Sequence, residues 1–140
     1  MAETASGHRT VPQTADLRIE AWAPTRDGCI RQAVLGAVES FLDMSLARPQ
    51  RSRGCRLVAD RDDDLLVAVL DEVIYRLDTA CEAPVEVDLQ DFDGGVEVCF
   101  AMADAGTLPQ VGAVPKAVSL TELRLTLDQN CWRCSVTLDV

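Results

Sequence analysis

Strict alternation of apolar and polar residues at both ends of the sequence limits this chain more than any other feature. In Asp16–Trp22, Leu17, Ile19 and Ala21 share one face, while Asp16, Arg18 and Glu20 share the other. In Trp132–Val140, Trp132, Cys134, Val136, Leu138 and Val140 oppose Arg133, Ser135, Thr137 and Asp139. Side chains alternate across a strand, so both segments are one-sided strands that need an apolar layer on one face only. That points to antiparallel sheet with helices laid against it.

The middle of the sequence supplies the layer. Thr25 is an N-cap for a helix from Arg26 to about Asp43, with Ile30, Ala33, Val34, Ala37, Val38 and Phe41 as its apolar stripe. A second helix, about Asp63 to Asp78, is apolar around most of its circumference and should be buried. The acids Asp60, Asp62, Asp63 and Asp64 at its start complement the helix dipole. A short strand around Arg56–Ala59 precedes this helix, and strands around Val85–Gln90 and Val96–Met102 follow it, with Asp93-Gly94-Gly95 as a turn. A strand over Ala117–Leu125 slips phase between Leu120 and Leu123, which signals a bulge. The expected fold class is α+β: two helices packed on a mostly antiparallel or mixed β-sheet, in a single domain over residues 13–140. Residues 1–12 read as a flexible lead-in.

Composition narrows the function. The 140 residues carry 48% hydrophobic side chains, enough for one core, and a net charge of −10. Such a chain is poorly suited to wrapping phosphate backbone as a whole, and better suited to metal ions or a basic partner. No apolar run is long enough to span a bilayer, so no membrane role is expected. Residues 1–10 lack the layout of a signal peptide, and the expected setting is the cytoplasm, where thiols stay reduced. Most of the six cysteines then serve as small core residues. Cys131-Trp132-Arg133-Cys134 is a CxxC at the start of a strand, without a second CxxC to complete a zinc site and without the helix start that redox CxxC motifs use.

Catalytic constellations are scarce. The only histidine, His8, sits in the lead-in and is read as exposed, so a Ser/His/Asp set lacks its base. There is neither a phosphate-binding loop nor a GxGxxG. Arg48, Arg51, Arg53 and Arg56 form a basic cluster, read as a solvated loop after the first helix. One arrangement stands apart. If the first and last strands are neighbours, Asp16 and Asp139 converge on the polar face. A backbone carbonyl or the terminal carboxylate of Val140 then completes a set of hard oxygen ligands that suits calcium, magnesium or manganese. Simple solvation of both acids is the competing reading.

Four segments together resemble the archease family, protein cofactors of the tRNA-splicing RNA ligase. They are Gln13-Thr14-Ala15-Asp16-Leu17-Arg18-Ile19, the helix DLLVAVLDEVIYRLDT, Val114-Pro115-Lys116-Ala117-Val118-Ser119-Leu120, and the closing Leu138-Asp139-Val140. Gln13 stands where that family usually has His. The resemblance implies a non-catalytic activator that promotes guanylylation of the ligase by GTP. The ligase, which joins 3′-phosphate to 5′-hydroxyl RNA ends, then turns over repeatedly. GTP is engaged through the ligase. The resemblance also implies a divalent-metal site, calcium foremost, at Asp16, Asp139 and Val140, and a functional lysine at Lys116. Asp43, at the expected end of the first helix, is a weaker candidate for the same cluster. A metal-dependent phosphohydrolase acting on nucleotides or RNA ends is the alternative.

Overall fold

A computed structural model describes residues 5–12 and 16–140. The elements in chain order are β1 (Gly7–Pro12), β2 (Asp16–Ala23), α1 (Arg26–Glu39), β3 (Arg51–Leu57), α2 (Asp62–Ala80), β4 (Glu82–Phe92), β5 (Gly95–Asp104), β6 (Ala117–Asp128) and β7 (Cys131–Asp139). They form an α+β domain, as the alternation required, but with two sheets in place of one. The first sheet has the order β1-β2-β7-β6 and the second β3-β5-β4. Every strand pair described is antiparallel, so no mixed sheet forms. Tight turns dictate this for β4–β5, through Gly94 at φ +90°, and for β6–β7, through Gln129 and Asn130 at φ 49° and 65°. Two-residue turns of this kind join only antiparallel neighbours.

The second sheet follows from the helices. α1 packs on β1, β2 and β7 of the first sheet and on β4 of the second; α2 packs on β6 and on β3 and β4. A helix touching two sheets needs more than one apolar stripe, which is why α2 is apolar around most of its circumference. One core cluster joins all layers, with Ile19, Ile30, Leu66, Phe100, Val136 and Leu138 essentially inaccessible to solvent. The Thr25 side chain accepts the Gly28 N–H at 3.0 Å, and this fixes the start of α1. The β6 bulge falls between Ser119 and Arg124, around the expected phase slip.

Four expectations are corrected. The lead-in contains β1, paired from Gly7↔Trp22 to Pro12↔Leu17. Its inward positions carry polar side chains, so apolar alternation could not reveal it. His8, expected in an exposed linker, is partly buried against Gly36 of α1. Its Nδ1 bonds Gln32 Oε1 at 2.8 Å and its Nε2 bonds Glu39. α1 ends at Glu39 rather than Asp43, because Phe41 and Leu42 leave the helix to pair with Gln110 and Val111.

Finally, Arg51, Arg53 and Arg56 belong to β3 rather than to a solvated loop. Arg51 and Arg53 lie in register with Met102 and Phe100 and end on the buried Glu82, at 2.9 and 3.1 Å. A buried carboxylate needs such partners, and the Arg53 guanidinium above all holds the Glu82 carboxyl below its ordinary 4.5. A lowered folded-state pKa contributes stability above the ordinary value and loses it as pH falls through the folded value. Glu82→Gln should therefore cost about 1–3 kcal/mol at neutral pH, the cost of leaving a buried charge-assisted network incomplete. Urea unfolding should show that difference from wild type shrinking below pH 4.5. A pH-independent difference would assign the effect to packing alone.

Candidate functional site

The polar face of the first sheet is a grid read directly from strand register. At one end, Asp16 of β2 stands opposite Asp139 of β7, and Asp139 stands opposite Ala117 of β6. The next row holds Val11, Arg18, Thr137 and Ser119; the next Arg9, Glu20, Ser135 and Arg124; the last Gly7, Trp22, Arg133 and Thr126. The conditional convergence of Asp16 and Asp139 is thus realised, because β2 and β7 are neighbours. Residues directly opposite in an antiparallel pair have Cβ atoms about 4.5–5.5 Å apart, and like charges there repel.

Two further residues gather at this end. The Lys116 N–H donates to the Asp139 carbonyl at 2.8 Å, so the lysine enters β6 tied to the backbone of the acidic pair. Its side chain is exposed and lines a cavity of about 770 Å³, whose wall includes Tyr75, Leu108, Val114, Asp71 and Asp78. Burial alone pushes the Asp71 carboxyl up. Val140 follows Asp139 directly and is partly buried. Asp16 Oδ1 is buried and has no hydrogen-bond partner among the described residues. An unmatched buried carboxylate oxygen beside a second carboxylate is a natural cation ligand, and the all-oxygen donor set fits a hard divalent ion.

Not every candidate joins this end. Among the described residues no three His, Cys, Asp or Glu side chains cluster as metal ligands, so the acidic pair has no third side-chain acid there. The Asp43 carboxylate is exposed and accepts the Ser45 N–H at 3.0 Å, which holds its carboxyl below the ordinary range. Its backbone N–H donates to Pro109, since the chain has already left α1. Gln13 lies outside the described residues. Cys131 and Cys134 are both buried, but Cys134 faces the core while Cys131 caps the β6–β7 turn. Cys134 instead meets Cys29 of α1. The Cys29 Sγ–H donates to the Ala21 carbonyl at 3.6 Å, and the neighbouring Cys134 thiol, then burial, pushes the Cys29 thiol above the ordinary range. Cys81 and Cys99 are exposed, so fewer cysteines serve the core than expected.

The fold and this acidic end define a class: a small α+β domain with two antiparallel sheets sharing two helices, and a carboxylate pair where the first and last long strands meet. The model of the Archease protein family matches residues 8–140. Proteins from two strains of Mycobacterium tuberculosis, each described as probable protein archease, are 71% identical over 137 residues, covering 98% of this chain and 76% of the relative. The solution structure of Methanobacterium thermoautotrophicum protein 1598 superposes with a TM-score of 0.76 at 20% identity, over 96% of this chain and 99% of that one. The crystal structure of a Thermotoga maritima protein, described as an archease and possible chaperone, gives a TM-score of 0.63 at 14% identity, over 94% and 96%. The chain belongs to the archease family.

The acidic pair makes a prediction that needs no partner. With divalent ions chelated, Asp139→Asn should stabilise the fold by about 0.2–1 kcal/mol, the scale of cross-strand charge terms. If the pair holds calcium, added calcium should reverse the order, because an ion stabilises the state that binds it. Thermal melts in chelator and in calcium decide it; a variant less stable than wild type in chelator would mean that the two acids are not repelling.

Proposed function

We propose that this chain is a protein cofactor of a tRNA-splicing RNA ligase, acting in the cytoplasm to promote guanylylation of the ligase and hence its repeated turnover. The observation that carries the proposal is the Asp16–Asp139 register, with Lys116 bonded to the Asp139 backbone. Asp16 and Asp139, with oxygen from Val140, would hold a divalent ion, calcium foremost with magnesium or manganese also suited. When bound, such an ion supplies positive charge for phosphate oxygens of a nucleotide held by the ligase.

The remaining roles belong to this chain's own residues. Lys116 is exposed on the rim of the 770 Å³ cavity and can present its ammonium to a phosphate or to a carboxylate of the ligase. The groove beside it is lined partly by the exposed Tyr75 and Val114, surface of the kind partners cover. The description of the Thermotoga maritima relative as a possible chaperone supports a role exerted on another protein.

The deciding experiment is multiple-turnover ligation of RNA with GTP and Mn²⁺, the ligase held far below its substrate, with and without this protein. A large rise in turnover is expected, abolished by Asp16→Ala or Asp139→Ala and strongly reduced by Lys116→Ala, all three folding normally by circular dichroism. No rise with a ligase that completes single turnovers would overturn the proposal. Release of phosphate from GTP by this chain alone would favour a phosphohydrolase. Calorimetry adds an independent check: Asp16→Ala should weaken calcium binding by more than about tenfold, about 1.4 kcal/mol.

A further inference from the structure

The net charge of −10 conceals how the arginines are distributed. Arg26, Arg31, Arg51, Arg53, Arg56 and Arg76 each meet a carboxylate. On the polar face of the first sheet the pattern is different. The three rows beyond the acidic end hold Arg9, Arg18, Arg124 and Arg133, with Glu20 as their one carboxylate. Glu20 bonds Arg9 and lies 3.7 Å from Arg18. The Arg18 Nε is buried without a hydrogen-bond acceptor among the described residues. Arg124 and Arg133 are exposed, lie in adjacent rows, and meet no carboxylate within ion-pair distance among the described residues.

This face also carries an aromatic ring in a particular seat. Trp22 lies opposite Gly7 on one side and Arg133 on the other. A Cβ added to Gly7 would come within 2.6 Å of the Trp22 ring, so the ring rests on bare backbone. Trp22, Arg9, Arg124, Arg133 and Ser135 line one hollow of about 500 Å³. No helix covers it, because α1 and α2 pack on the opposite face, behind Ile19, Val136 and Leu138.

We propose that this sheet face binds single-stranded nucleic acid, with Arg9, Arg18, Arg124 and Arg133 on the phosphates and Trp22 stacking on a base. Arg124 and Arg133, which meet no carboxylate among the described residues, supply most of the phosphate attraction, with Arg9 and Arg18 sharing Glu20 beside them, and the hydroxyls of Ser135 and Thr126 add donors. A tryptophan among arginines on an open sheet suits an unpaired base better than a duplex, whose bases are already stacked. It also separates nucleic acid from an acidic peptide, which would use the arginines but leave the ring idle. This surface is distinct from the Asp16–Asp139 end and needs neither the metal nor the ligase.

The test is fluorescence anisotropy with a labelled oligouridine of about ten nucleotides, within the range one small domain covers, in chelator and without ligase. Binding is expected at low salt and should weaken as salt rises. Arg124→Ala combined with Arg133→Ala should weaken it by more than about tenfold and reduce the salt slope by about 1.4, at about 0.7 for each phosphate no longer neutralised. In a Trp132→Phe background, which leaves Trp22 as the only tryptophan, oligouridine should quench the emission and polyglutamate should not. An unchanged circular dichroism spectrum and thermal midpoint in chelator show that the arginine double variant is folded. Absence of binding, an unchanged affinity in that variant, or displacement by polyglutamate as effective as by unlabelled RNA would each overturn the proposal. The ligation assay reads the other end of the sheet, so either result stands without the other.

Discussion

Asp16–Ala23 pairs with Trp132–Asp139 residue for residue, joining the first long strand to the last across nearly the whole chain. This pairing sets both faces of the first sheet at once. On the inner face it lines up Leu17, Ile19 and Ala21 with Leu138, Val136 and Cys134, against which α1 packs. On the outer face it lines up Asp16 with Asp139. A slip of one residue would carry the leucines and valines into solvent and the carboxylates into the core. The hydrophobic register therefore holds the acidic pair together despite its repulsion. The core supplies the free energy, and the site inherits the geometry.

Charge is distributed by a similar logic. A chain this acidic has few cations, and the fold commits most of them to holding carboxylates. Glu82 shows the extreme, a buried acid at the edge of the second sheet gripped by two arginines of β3. The outer face of the first sheet is the exception. It runs from an acidic end at Asp16 and Asp139 to a basic stretch ending beside Trp22. A divalent ion at the first end would neutralise the charge of Asp16 and Asp139 and remove their repulsion of phosphate, so the proposed cofactor role and the proposed nucleic-acid surface are electrostatically compatible without sharing residues.

What escaped the sequence did so for definable reasons. β1 has His8 and Thr10 on the register positions that face α1, so that side of the strand is polar, and His8 bonds Gln32 and Glu39 of α1, which lie far away in sequence. Arg51 and Arg53 look solvated until Glu82, some thirty residues on, is brought across β5. Periodicity ties Asp43 to a helix end, yet Phe41 and Leu42 gain more by pairing with Gln110 and Val111 than by extending α1. Each case turns on a non-local partner.

By itself the sequence determined the local grammar: strands at Asp16 and Trp132, the Thr25 cap, two helices, the bulge in β6, and the polar faces on which Asp16 and Asp139 stand. These follow from periods of two and 3.6 residues and from capping chemistry, which neighbours in the chain dictate. Only the tertiary structure decided that β2 lies beside β7, that the helices are shared by two sheets, that Lys116 is bonded to Asp139, and that four arginines and Trp22 crowd one open face. Strand order is set by how the whole core closes, and a pattern that specifies which face is apolar says nothing about which strand will stand next to it.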